Sequence, residues 1–181
     1  MAKYFAFLRA INVGGHTVKM ERLRCEFEAL GLTAVETFIA SGNVIFEARA
    51  KNEKLLSRRI ERHLKQALGF EVATFLRSPT ELAQIADHRP FPTEAAGDSI
   101  FVAFLSDQPD SAAKKNLIAC RSETDDFHLH HREVYWLCRT RMSDSKFTGA
   151  RLEKIVGQPA TMRNRTTIKK LAAKYPPPAR P

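Results

Sequence analysis

The chain has 181 residues, of which 44% are hydrophobic and 27% charged, the composition of an ordinary globular protein with one large domain or two small ones. No apolar run approaches the ~20 residues that span a bilayer, and the alternating N-terminal stretch reads as a strand, not a signal peptide. The net charge of +9 is uneven: residues 1–138 balance, and the whole excess lies in 139–181, where Asp144 and Glu153 are the sole acids. Clustered charge of this kind focuses a field on an anionic partner, or simply forms a solvated basic face.

In chain order, residues 3–11 read as a strand apolar on both faces, with Tyr4, Ala6 and Leu8 on one and Phe5 and Phe7 on the other. Arg9-Ala10-Ile11-Asn12-Val13-Gly14-Gly15 leads from it to a helix carrying Met20, Leu23, Phe27 and Leu30, closed by Gly31 at the C′ position. Residues 34–40 and 43–48 are strands joined at Gly42-Asn43, a two-residue hairpin signal. Asn52 caps a second helix with Leu56, Ile60, Leu64 and Leu68, ended by Gly69, and Val72–Leu76 is a further strand. Ser78-Pro79-Thr80-Glu81 is a capping box that starts a helix running to about Ala86. Residues 88–98, rich in proline, read as a linker.

The order then repeats. A strand over Ser99–Leu105 precedes a helix over 109–119. Phe127–His130 and Val134–Cys138 form a hairpin, followed by a helix from near Ser145 to Gly157 and a short strand near Ala160–Met162. A last helix runs from Asn164 to Tyr175, and Pro176-Pro177-Pro178 ends it. The fold class is therefore α+β: two ferredoxin-like (α-β plait) β-α-β-β-α-β domains plus a C-terminal helix. The corresponding partition is 1–77, a helix and linker over 78–98, a second domain over 99–162, the helix at 163–175, and a disordered tail at 176–181.

In that topology the end of the first strand and the turn between the second and third share one sheet edge. Arg9 and Asn12 then neighbour Ser41 and Asn43, with Gly14 and Gly15 allowing close backbone approach and the first helix N-terminus favouring an anion. Lys146, Arg163 and Asn164 join them if a cleft forms between the domains. The offered chemistry is donors and positive charge, suited to a phosphate or carboxylate. Each element also has a plain structural reading: a flexible loop, a turn, and arginines paired to Glu36, Glu94 or Asp98.

The islands contain no His, Asp or Glu, so no general base and no catalytic residue is identified; Lys146 is the sole candidate. His128-Leu129-His130-His131 lacks a third metal ligand at suitable spacing and reads as solvated strand residues. No metal and no cofactor is expected. Cys25, Cys120 and Cys138 read as buried reduced thiols.

Arg9–Gly15, Lys19-Met20 with Leu23, Ser41–Phe46, Ser145–Phe147, Leu152–Lys154 and Thr161–Thr167 with Leu171 together resemble domain of unknown function family 1697. The resemblance implies a bacterial, functionally uncharacterised protein with two ferredoxin-like domains. It also marks three departures: Ala10 where the family usually has Gly, and Arg165 and Thr166 where it has Trp and Asn. The expected function is binding of an unknown anionic ligand, nucleic acid being one version of it, by a cytoplasmic monomer or homodimer with no membrane association. The alternatives are an enzyme acting on a phosphorylated or carboxylated small molecule, and a structural or interaction module.

Overall fold

The computed structural model describes residues 1–178. Eight strands and six α-helices alternate: β1 (Ala2–Leu8), α1 (Met20–Ala29), β2 (Thr33–Thr37), β3 (Asn43–Ala48), α2 (Glu53–Leu68), β4 (Thr74–Arg77), α3 (Pro79–Asp87), β5 (Ser99–Phe104), α4 (Ser111–Ile118), β6 (Asp125–His130), β7 (Glu133–Cys138), α5 (Gly149–Val156), β8 (Thr161–Asn164) and α6 (Arg165–Lys174). They build two four-stranded antiparallel sheets, ordered β2-β3-β1-β4 and β6-β7-β5-β8. None of these helices is long and apolar enough to cross a membrane.

Two compact units result, Met1–Leu82 with the described residues from Pro176 onward, and Ala83–Tyr175. The division falls inside α3, within the 78–98 segment read as helix and linker, and a capping box starts that helix. The Glu81 carboxylate accepts from the Ser78 N–H at 2.8 Å, and the Ser78 hydroxyl accepts from the Glu81 N–H at 3.3 Å. The C-terminal helix belongs to the second unit, with Ile168 and Leu171 buried. Of the tail read as disordered, residues 179–181 lie outside the described ones, while Pro176 and Pro178 line a groove of the first unit.

Strand alternation explains the first core. Ala6, Leu8, Val44, Phe46 and Leu76 share a face and form one cluster with Leu23 and Phe27 of α1 and Leu56, Ile60 and Leu64 of α2. Phe27 is fully buried, so its truncation to alanine costs ~3–5 kcal/mol. On the opposite face Phe5, Phe7, Ile45 and Phe75 are buried too, as the two-sided apolar pattern of the first strand predicts. The second core packs Ala103, Phe127, Leu129, Val134 and Trp136 with Leu117, Leu152 and Val156.

Helix ends follow the sequence signals at Asn52, which accepts from the Leu55 N–H at 3.1 Å, and at Gly69, left-handed at φ 82°. Helix α5 begins at Gly149 with Thr148 as its cap, some residues after the expected start near Ser145. The Ser145 hydroxyl is drawn instead to Asp125, to which it donates at 2.9 Å. Among the cysteines only Cys138 is buried; Cys120 is half-buried and Cys25 exposed, so the expectation of three buried thiols holds for one. Cys25 lies on the outward side of α1, and Cys120 follows the end of α4, packed against the edge of the second core.

Candidate functional site

The first and second islands meet. The Leu8 N–H donates to Gly42 O at 2.9 Å, continuing the β1–β3 ladder, and the Asn12 amide donates to Ala40 O at 3.0 Å. The other end of the Asn12 side chain accepts from the Val18 N–H at 2.8 Å. One asparagine therefore ties both loops together and fixes the approach to α1. The Asn43 amide donates to Phe38 O at 3.0 Å and to the Ser41 hydroxyl at 2.9 Å, closing the loop from within. Asn43 is 1% exposed and pairs with Phe7 as a strand residue. Neither asparagine amide is presented to a ligand as expected, because each holds backbone.

The turns also differ from expectation. Gly42-Asn43 is not a two-residue hairpin; β2 and β3 are joined by residues 38–42, with the Phe38 N–H donating to Asn43 O at 3.0 Å. The two-residue turn is Gly14-Gly15, at φ 61° and 88°, closed by the His16 N–H on Val13 O at 3.2 Å. Two successive left-handed residues are what a type I′ turn demands, so these glycines answer to turn geometry. Helix α1 starts at Met20, the first residue of the helical repeat, with no side-chain cap from Lys19. His16, which the sequence reading left aside, stacks on Phe70 at 4.0 Å between ring centroids.

Backbone strain concentrates in these two loops. Five non-glycine residues among those described have positive φ, and Ala10 (65°), Asn12 (56°) and Ile39 (52°) are three of them. For a β-branched residue such as Ile39 this is a genuine outlier. The Ala10 value explains why glycine suits that position. Around the strained backbone Arg9 is exposed, and so are Val13 at 60% and Ile39 at 54%. Gly42, at φ 69°, is tightly enclosed, since an added Cβ would lie 3.0 Å from Ile11 Cβ and 3.2 Å from Leu8 Cβ, and those neighbours would have to give way.

The third island is engaged within the second unit. Arg163 is 8% exposed and donates to the Thr161 hydroxyl and to Met162 O, both at 2.8 Å. Burial pulls its guanidinium down to about 10, so it stays charged at neutral pH. Asn164 caps α6, accepting from the Thr166 N–H at 2.8 Å. Arg165 clamps Glu94 with its two terminal guanidinium nitrogens, one at 2.8 Å, and that pairing holds the Glu94 carboxyl below its ordinary value. The two arginines at this helix start thus need no bound anion to account for them. Lys146 is exposed, beside the buried Phe147. A second buried arginine, Arg77 of β4, was missed because it follows the apolar run and reads as a strand end; it donates to Leu76 O at 2.6 Å.

A groove of about 490 Å³ in the first unit is lined by Met1–Tyr4, Glu47, Ser78–Thr80, Pro176 and Pro178. It lies at the start of β1 and the end of β3, the opposite edge from the two islands.

The family model described as "Protein of unknown function (DUF1697)" matches residues 1–135. This span contains the first two islands; the 161–167 motif lies beyond it. A conserved bacterial protein from Streptococcus pneumoniae, SP0830, has a similar structure, with a TM-score of 0.74 over 97% of this chain and 98% of that one at 23% sequence identity. Among curated proteins nothing matches.

Proposed function

The chain belongs to the DUF1697 family of proteins of unknown function, and on that premise we propose that it binds an anionic, phosphate- or carboxylate-bearing ligand at the sheet edge formed by residues 9–15 and 38–43. We read each unit as a ferredoxin-like plait, a topology that carries the β1 end and the β2–β3 loop to one edge. The observation that carries the binding reading is the strain. Ala10, Asn12 and Ile39 hold left-handed backbone in two loops joined by a 3.0 Å hydrogen bond. Such conformations cost ~1–3 kcal/mol each and cluster at ligand clamps.

The donors are the Arg9 guanidinium and the loop backbone, since the asparagine amides lock the loops. From Ala10 to Gly14 the sign of φ alternates, a pattern that turns successive N–H groups toward a common side and forms an anion-binding concavity. Exposed Val13 and Ile39 flank the charge and suit the apolar part of a small ligand. A cytoplasmic metabolite fits this description, since the edge sets one exposed charged side chain, Arg9, beside two exposed apolar ones.

The test is titration of the full chain with pyrophosphate, followed by backbone amide resonances. Shifts confined to residues 9–15 and 38–43, and at least tenfold weaker binding in Arg9→Ala, are expected. Shifts scattered over the basic C-terminal quarter, or unchanged affinity in Arg9→Ala, would sink the reading. Native mass spectrometry of wild type and Arg9→Ala then identifies the natural ligand.

A further inference from the structure

Three histidines distant in sequence converge in the second unit. His128 and His130 are two residues apart on β6, so both leave the same face of the strand. His88 directly follows α3, held by its N–H on Gln84 O at 3.0 Å. The end of α3 is anchored over that face by the Tyr135 hydroxyl, which donates to Ile85 O at 3.3 Å. His88 lies 4.3 Å from His130 and 5.4 Å from His128 between ring centroids. One nitrogen from each ring lies within 4.8 Å of the others. This is the third donor that the spacing around His128-Leu129-His130-His131 did not supply.

Packing alone does not explain the cluster. The His88 Nε2 atom is buried and has no hydrogen-bond partner, one of two such side-chain atoms among the described residues. A buried polar atom left in that state costs ~1–3 kcal/mol, and a phenylalanine or leucine would fill the same space without it. Burial first, then the neighbouring imidazoles, pulls His88 below its ordinary value; burial and His130 do the same for His128. Neutral imidazole is the form that ligates a metal.

We propose that His88, His128 and His130 form a binding site for a divalent transition-metal ion of the zinc type. Three imidazole nitrogens and no carboxylate in the set favour zinc, nickel, copper or cobalt over calcium or magnesium. Zn–N bonds of ~2.0–2.1 Å place tetrahedral nitrogens about 3.3 Å apart, so the rings close by a modest side-chain rotation that unstacks His88 from His130. Three protein ligands leave the fourth position to water or an anion. Lys114 and Arg121 near His128 oppose a dication, and Asp126 offsets them. His131 is exposed, with its ring 4.2 Å from that of His130, and stands outside the set.

The experiment uses the full chain without an affinity tag, stripped by chelator and titrated with Zn²⁺ by calorimetry and with Co²⁺ by visible absorption. Wild type is expected to bind one ion with the intense absorption of tetrahedral cobalt and to melt at higher temperature with zinc. His88→Ala and His128→Gln should each weaken binding at least tenfold and abolish the melting shift, with His131→Ala within twofold of wild type. Absence of binding in wild type, or affinity within twofold of wild type in His88→Ala, overturns the proposal. Should His88→Ala fail to fold, His128→Gln and His130→Gln on the strand face decide by the same criterion.

Discussion

The two units run through the same strand order, yet they make the same two connections very differently. In the second, β5 reaches α4 through residues 105–110 only. Gln158 accepts from the Ser106 and Asp107 N–H groups, and Asp110 caps the helix by accepting from the Ala113 N–H at 2.7 Å. Its hairpin turns at His131 and Arg132. In the first unit the equivalent connections take residues 9–19 and 38–42, and they hold Ala10, Asn12 and Ile39 in left-handed backbone. Topology therefore does not require the longer, strained loops. The second unit's hairpin holds one left-handed residue, His131 at φ 52°, in its turn. The extra length and the three left-handed residues gathered in two joined loops belong to one edge of one sheet, and that is the ground for placing a ligand there.

The second unit concentrates its polar interactions elsewhere, at Asp125, and the largest expected effect tests that contrast. The Asp125 carboxylate accepts from the Trp136 indole N–H at 2.7 Å, the Thr124 hydroxyl at 2.8 Å and the Ser145 hydroxyl at 2.9 Å. Burial pushes this carboxyl up, but the donors outweigh it, and it lies below its ordinary value of 3.8. Asp125→Ala should destabilise by about 3 kcal/mol, since it strands the buried indole N–H, measured by urea unfolding. Because the folded form is the more acidic, its contribution is present above pH 3.8 and is lost as pH falls through the lower folded value. Asp125→Asn should accordingly flatten the acid limb of the stability profile; an unchanged limb would remove Asp125 from that role.

Next in size, Gly42→Ala should cost about 2 kcal/mol, combining left-handed strain with the clash against Leu8 and Ile11. Gly157→Ala, at φ 67° with open space around it, should cost about 1 kcal/mol from strain alone. Equal losses in the two variants would mean that the loops of the first unit are not closely apposed. Ala10→Gly should stabilise by about 0.5–1 kcal/mol, by relieving a left-handed alanine, and the melting temperature should rise. Smallest of all, Arg9→Ala should change stability by less than ~0.5 kcal/mol, as an exposed residue, while weakening pyrophosphate binding. A large stability loss there would make Arg9 structural and erase the functional difference between the two edges.

The parts legible in the sequence are those governed by periodicity and caps. Phe5 and Phe7 against Ala6 and Leu8 announced a doubly covered strand, and the Ser78–Glu81 box announced α3. The meeting of Asn12 with the 38–42 loop followed from strand order. What escaped depends on side chains choosing distant partners. Asn43 bonds Phe38 O and so enters the strand in place of the turn; Ser145 bonds Asp125 and leaves α5 to Thr148. Arg163 sits inside the sheet because β8 extends to Asn164. His88 was hidden by its proline-rich surroundings, and no local pattern links it to His128 and His130 forty residues on.

The assignment of Pro176 and Pro178 to the first unit bears on the order in which the molecule matures at the ribosome. Residues 1–82 carry their own core and emerge first, so they are able to collapse while the remainder is still being made. The groove beside Met1–Tyr4 acquires its proline wall only after α6 has been translated. Until then the start of β1 and the first turn of α3 are open to other chains, and a truncation before Pro176 would leave that groove permanently unfinished.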